Sequence, residues 1–249
     1  MSAPSTATPT PSDAETRHIV VVGGGPAAHR LTEALVSREL PGTRISVFTE
    51  EMLPPYDRVA LSKRFEIDDD LLLGEPSLWE HPTVTLHTGR SVTALDVAAQ
   101  RITTADGETH GYDELVLATG SSAPRPRLAG AEEIAVYRTL DDVDWLRQRV
   151  ADLAVELGRT PQCAVIGGGL LGLEAAGGLK GLGAQVTVVH SKPWLMNAQL
   201  DEFGGRTLNR LLEKEATTST AASAPPAWRS ATPPPREMPG PPLHSLATP

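Results

Sequence analysis

Cysteine is nearly absent: the 249 residues contain one, Cys163. A single thiol closes no internal disulfide and forms no Cys-x-x-Cys pair. Zinc and iron–sulfur centres built on cysteine are excluded with it. Cys163 stands just before an apolar strand and reads as a small core residue. Clustered cations are missing as well. The formal net charge is −9, and neutralising a phosphate backbone takes grouped Lys and Arg, so nucleic acid is not an expected partner. The run Asp68-Asp69-Asp70 has no other ligands fixed around it and reads as a solvated loop; no metal site is expected. No apolar run is long enough to span a bilayer. The first 16 residues are rich in Ser, Thr, Pro and Ala, with no basic start and no apolar core. They read as a disordered leader rather than a secretory signal, and a soluble, cytoplasmic protein is expected.

What is present is a repeated pattern. Ile19 to Val22 is a short apolar run ending in glycines, as a buried parallel strand reads. Ala28, Leu31 and Leu35 follow at helical spacing, Pro41-Gly42 is expected to end that helix, and Arg44 to Glu50 reads as a second strand. This is a βαβ unit with an expected right-handed crossover. The stretch from Pro54 to Phe65 reads as a loop leading into a short helix. Between Val84 and Tyr112, alternating segments separated by turns predict a small antiparallel meander. Glu114 to Gly120 returns to a buried strand. Asp141 to Leu157 predicts an amphipathic helix with Val143, Leu146, Val150, Leu153 and Leu157 on one face and Gly158 as its cap. A second βαβ unit starts at Cys163, with strands over "CAVIG" and "AQVTVVH", and Leu200 to Lys214 suits one more helix. From about Ala216 the chain is dominated by Pro, Ala, Ser and Thr, and no helix or strand is expected there.

Each βαβ unit carries a glycine turn of one design. The first reads Gly23-x-Gly25-x-x-Ala28 and the second Gly167-x-Gly169-x-x-Gly172. The first glycine permits a tight turn, the second lets backbone approach a pyrophosphate, and the third position is small so that helix and strand pack closely. Backbone N–H groups at the helix start then face the phosphates. A lone match of this kind is weak, because glycine turns also serve structure alone. Two copies, each between an apolar strand and a helix, are the context the motif requires. Glu50 closes the second strand of the first unit, where a carboxylate accepts hydrogen bonds from a ribose 2′-OH and suits FAD or NAD. The corresponding residue of the second unit is His190, followed by Ser191 and Lys192, which leaves NADH and NADPH both open. Two dinucleotide sites in one chain suit a relay, with NAD(P)H bringing hydride to FAD.

The chain resembles the FAD-dependent pyridine-nucleotide oxidoreductases built from two Rossmann-like domains. Within them it resembles the amino-terminal part of the large subunit of NAD(P)H-dependent nitrite reductases. The resemblance rests on "FTEEMLPPYDRVALS" with Tyr56-Asp57-Arg58 and Leu61-Ser62, on "LVLATGSSAPRP", and on "VTVVHSKPWLMNAQLD", and it spans roughly residues 17 to 214. It implies that the first turn and Glu50 hold the ADP half of FAD and that Arg58 lies by the pyrophosphate. Thr119 and Gly120 would pass close to the phosphates. It further implies that Lys63 lies on the flavin side, with Glu174 approaching the flavin and able to pair with it; these two are the candidate catalytic residues. Pro26, Ala27, Val92, Ala118, Leu170 and Leu171 complete the cofactor-binding positions. No Cys pair stands in "PPYDRVALSK", so dithiol relay chemistry is excluded. Electrons would leave for a sirohaem and iron–sulfur module outside this sequence, or for a separate protein.

The expected fold is therefore α/β: two Rossmann-like βαβ units with a small antiparallel meander, the second unit incomplete. The expected organisation is a leader (1–16), an FAD-binding domain (17–140), a partial NAD(P)-binding domain (141–214) and a disordered tail (215–249). The family's second domain is expected to continue past Lys214 and return to the flavin, and a shift of reading frame would produce the abrupt change seen there. The function expected is hydride transfer from NAD(P)H to FAD, as in a nitrite reductase serving nitrate assimilation. A truncated, non-catalytic fragment with residual nucleotide binding and a ferredoxin- or rubredoxin-reductase-like flavoprotein are the alternatives.

Overall fold

A computed structural model describes residues 16–123, 125, 129–214 and 218–221, the last four by backbone alone. The expected leader lies outside them except for its final residue, as does most of the expected tail. Contacts divide the chain into two compact units. One comprises residues 1–163 and 174–185, the other residues 164–173 and 186–249.

The first unit is built on a parallel sheet. Strand β1 (Arg17–Val22) leads through the glycine turn into helix α1 (Pro26–Val36) and then strand β2 (Thr43–Phe48). β1 pairs in parallel with β2 over its whole length, placing Ile19 opposite Ile45 and Val22 opposite Phe48. Five consecutive residues of β1 are buried, the mark of a strand covered on both faces. One face packs Ile19, Val21, Ile45 and Val47 against Ala28 of α1. The other packs Val20, Val22 and Phe48 against Ile102. Each such side chain contributes roughly 1.5–3 kcal/mol by leaving water. Helix α1 stops at Val36, five residues before the proline expected to end it.

The expected meander is shorter than its sequence suggested. Strand β3 (Val84–His87) does not belong to it but joins the parallel sheet beside β2. Alternation of apolar and polar residues fits either setting. Burial decides, because Val84 and Leu86 reach the α1-side core. The antiparallel meander proper is β4 (Val92–Asp96), β5 (Arg101–Thr104) and β6 (Thr109–Gly111). Strand β7 (Glu114–Leu117) then returns beside β1, giving the order β3-β2-β1-β7.

Residues Arg58–Phe65 form a 3₁₀ helix whose Asp57 caps the Val59 N–H at 2.9 Å. It docks on helix α2 (Leu140–Leu157), where both Nε and Nη2 of Arg64 hold the Asp144 carboxylate at 2.8 Å. Tyr56, Leu61, Phe65, Leu140 and Val143 make the apolar part of this contact. α2 opens with a reciprocal capping box between Thr139 and Asp142 and closes at Gly158 in the left-handed conformation. Val143 and Val150 of the expected apolar face are buried, while Leu157 at its end is exposed.

The rest of the chain runs through β8 (Gln162–Ile166), α3 (Leu170–Gly181), β9 (Gln185–His190), α4 (Glu202–Lys214) and β10 (Thr218–Ala221). Within the first unit, a Cβ on Gly178 of α3 would overlap the ring of Phe65. The strand order of the second sheet is β10-β9-β8. β10 corrects the expectation that nothing regular follows Ala216. It pairs in parallel with β9, Thr218 opposite Thr187 and Ala221 opposite His190. Its four residues contain no proline, the first being Pro225 further on, so their N–H groups are available to the ladder. Among the described residues no helix is long and apolar enough to cross a membrane.

Candidate functional site

In the first glycine turn, three adjacent glycines answer three demands. Gly23 adopts a φ of +124°, and its N–H donates to the Phe48 carbonyl at 2.8 Å. A Cβ there would overlap the carbonyl of Ala118, and one on Gly24 would overlap the side chain of Thr49. These two glycines are fixed by packing. Gly25 is different: the nearest atom to a Cβ would be Nε of Arg58, at 3.8 Å. Its hydrogen keeps open a space that belongs to a cavity, not to the protein's own core. Ala28, the small third position of the motif, is fully buried against the sheet.

That cavity has a volume of about 740 Å³, within the range of cofactor clefts. Of the residues singled out from sequence, Gly23, Gly25, Pro26, Ala27, Glu50, Arg58, Val92, Ala118, Thr119 and Gly120 line it. They arrive from five separate segments: the β1–α1 turn, the end of β2, the 3₁₀ helix, the start of β4 and the segment after β7. Val92 sits where the β4–β5 register shifts, and such a bulge re-aims a side chain. α1 begins on this cavity with Pro26 in its first turn and no side-chain cap on Gly25. Its first N–H groups therefore lack intrahelical partners and its positive dipole end faces the space.

Glu50 is exposed and, among the described residues, has no side-chain partner. Its neighbour Glu51 is engaged. Glu51 forms an ion pair with Arg58 and accepts a 2.6 Å hydrogen bond from the Tyr56 hydroxyl. Nη1 of Arg58 donates to that same hydroxyl at 2.9 Å and to the Arg138 carbonyl at 3.4 Å. The Tyr56 oxygen also accepts from the Leu140 N–H at 3.2 Å. Burial, and then the bond to Glu51, push the Tyr56 pKa far above the usual phenol value.

Sequence reasoning missed Glu51, Arg90, Arg138, Thr139 and Asp142, all of which line the cavity. A Thr-x-x-Asp capping signature was available for the last pair. Nothing local marks Arg90 or Arg138, whose place depends on long-range folding. Arg90 forms an ion pair with Asp106, and Nε of Arg138 donates to the Ser121 carbonyl at 3.1 Å.

Lys63 and Glu174 both fall in the first unit, but no ion pair joins them among the described residues. Lys63 is exposed on the 3₁₀ helix. Glu174 instead lies 3.5 Å from the Tyr137 hydroxyl. The Tyr137 pKa is pushed up to about 12, by burial first and then by the Glu174 charge. Cys163 is half-buried, and burial raises its thiol pKa, which disfavours the thiolate.

In the second unit, Gly167 has a φ of +129° and donates to the Val189 carbonyl at 2.8 Å, repeating Gly23. A Cβ on Gly172 would overlap the Gly167 carbonyl, whereas one on Gly169 would meet nothing within 4 Å. Leu170 and Leu171 are exposed. His190 is buried at the end of β9 with its Nδ1 unpartnered. It borders a space of about 440 Å³ with Trp194, Arg206 and Arg210. Among the described residues no cluster of His, Cys, Asp and Glu is arranged to hold a metal ion.

Comparison with known proteins identifies the family. The sequence profile of the pyridine nucleotide-disulphide oxidoreductases matches residues 17–223. That span extends past residue 214 and takes in β10. The chain is 36% identical over 207 residues to nitrite reductase [NAD(P)H] of Bacillus subtilis, covering 81% of this chain and 25% of that protein. It is 36% identical over 221 residues to the ferredoxin–NAD(+) reductase component of the anthranilate 1,2-dioxygenase system of Burkholderia cepacia, covering 85% and 52%. The crystal structure of a ferredoxin reductase from Rhodopseudomonas palustris superposes with a TM-score of 0.71 at 25% identity, covering 82% and 50%. The chain thus spans between a quarter and about half of these proteins.

Proposed function

We propose, on the premise that the chain belongs to the pyridine nucleotide-disulphide oxidoreductase family of FAD- and NAD(P)H-dependent enzymes, that it binds FAD at the first glycine turn and NAD(P)H at the second. In this reading residues 17–140 carry the flavin nucleotide and residues 141–214 the nicotinamide nucleotide. The observation that carries it is the cavity behind Gly25, which a single Cβ would begin to fill. The residues present fit the group. Gly25, Pro26 and Ala27 offer backbone and a helix N-terminus to a pyrophosphate. Arg58 offers a cation beside it, and Glu50 offers a free carboxylate to a ribose hydroxyl. Bound there, FAD supplies an acceptor for hydride and a donor of single electrons.

The chain's own residues set the direction of that chemistry. With one cysteine, this chain supplies no dithiol of its own to take electrons from a flavin, and in this reading they pass to an acceptor centre or carrier protein. The nitrite reductase and ferredoxin reductase relatives mark the two classes of acceptor, and the resemblance read in "VTVVHSKPWLMNAQLD" supports the nitrite reductase type. No carboxylate ends β9 to repel a 2′-phosphate, and His190 stands there instead, so NADH and NADPH are both accommodated. Titration of the chain with FAD, followed by quenching of flavin fluorescence, tests the reading. One FAD bound per chain, weakened in Arg58→Met, is expected. No saturable binding would refute it.

A further inference from the structure

Arg58 is too well held to be a passive surface cation. Its side chain is 20% exposed and that of Glu51 15%, so both charges have left most of their water. A desolvated pair needs further hydrogen bonds to offset that loss, and Tyr56 supplies them. The Tyr56 hydroxyl donates to Glu51 and accepts from Arg58 and from the Leu140 N–H. The guanidinium also lies 4.8 Å above the centre of the Tyr56 ring, a cation–π distance. These partners engage Nη1 and Nη2. The remaining edge, Nε, is the atom nearest to where a Cβ on Gly25 would stand, 3.8 Å away.

We infer that Tyr56 and Glu51 are positioning residues that hold Arg58 with its Nε edge toward Gly25, so that it meets the pyrophosphate of a dinucleotide already oriented. This deepens the flavin reading above and rests on it. A guanidinium fixed by two of its three nitrogens loses little further freedom on binding. Tyr56 and the Arg138 carbonyl take the Nη1 donors and Glu51 takes one on Nη2, which leaves the Nε–H and one Nη2–H of Arg58 for a phosphate. The Tyr56 oxygen also receives the first N–H of α2, and the Arg138 carbonyl receives Arg58. The cradle and the start of α2 are therefore held by one hydroxyl.

Binding of FAD and of riboflavin, which lacks the pyrophosphate and adenosine, distinguishes this role from a structural one. Tyr56→Phe keeps the buried ring and removes only the oxygen. We expect FAD to bind about tenfold more weakly to this variant, as for loss of a hydrogen bond to a charged group, with riboflavin unchanged. In an Arg58→Met background the same substitution is expected to have no further effect on FAD. An FAD affinity unchanged by Tyr56→Phe but lowered by Arg58→Met would overturn the inference and leave the flavin site standing. Equal weakening of riboflavin would overturn it in favour of a structural role. Should Tyr56→Phe not fold, Glu51→Gln carries the same test, with weakened FAD and unchanged riboflavin expected. A wild-type chain that binds no FAD removes both the inference and the reading beneath it.

Discussion

The two glycine turns share a motif and a backbone geometry but not a setting. Gly23 and Gly167 take nearly the same φ, +124° and +129°, and both donate to the strand that follows their helix. Around Gly23 the protein closes in: the segment after β7 brings the Ala118 carbonyl against it, and residues from six segments wall a cavity. Around Gly167 a Cβ would meet nothing within 4 Å. The reason lies in sheet order. β1 has a neighbour on each side, β2 and β7, whereas β8 has only β9 among the described residues. The motif therefore fixes the turn, and the second neighbour strand closes the wall around it.

Alanine substitution should break this equivalence. Gly23→Ala is expected to have the largest effect. It combines left-handed strain with overlap on a backbone carbonyl and should cost about 3–5 kcal/mol of unfolding free energy, read by urea denaturation. Gly167→Ala carries the strain alone and should cost only about 1–2 kcal/mol. Equal losses would contradict the contrast drawn here. Gly25→Ala should leave the urea midpoint within about 0.5 kcal/mol of wild type, because its Cβ enters the cavity rather than the core. The same variant should weaken FAD by at least about tenfold, by obstructing the approach to the pyrophosphate.

The smallest effect expected is one of pH. His18 and His87 are held below their usual pKa, in both cases by burial first; Arg44 adds to the effect at His18 and His110 at His87. The ring of His87 stacks on Phe48 at 4.3 Å, and Phe48 itself lines the cavity. Because these folded-state pKa values lie below those of the unfolded chain, the unfolded state binds protons first as pH falls. Their contribution is full above the ordinary histidine pKa and is lost as pH falls through the folded values. The urea midpoint should drop between pH 7.5 and pH 5.5, and His87→Phe should flatten that drop. A midpoint that rises on acidification would contradict the sign.

What could be read from sequence follows the same division between local and long-range. Both βαβ units, the long helix α2 and the glycine turns rest on local pattern, and the structure contains them. Strand β3 was misassigned because alternation cannot say which sheet a strand joins. β10 was missed because a polar Thr-Ser-Thr-Ala segment shows no apolar period. Of the ten cavity-lining residues named from sequence, nine lie in or beside motifs, and Val92 at the start of β4 does not. Arg90 and Arg138 reach the cavity through the fold, and neither their neighbours nor their spacing announces it. Lys63 and Glu174 were paired by resemblance, and the structure places Tyr137, not Lys63, beside Glu174.

The central claim is that the two glycine turns hold FAD and NAD(P)H and work in sequence. The visible absorption spectrum of the FAD-loaded chain, before and after anaerobic addition of NADH, tests it most directly. The account predicts a bound-flavin spectrum that bleaches on NADH addition. A chain that FAD cannot reconstitute, or a bound flavin that neither NADH nor NADPH bleaches, would contradict it.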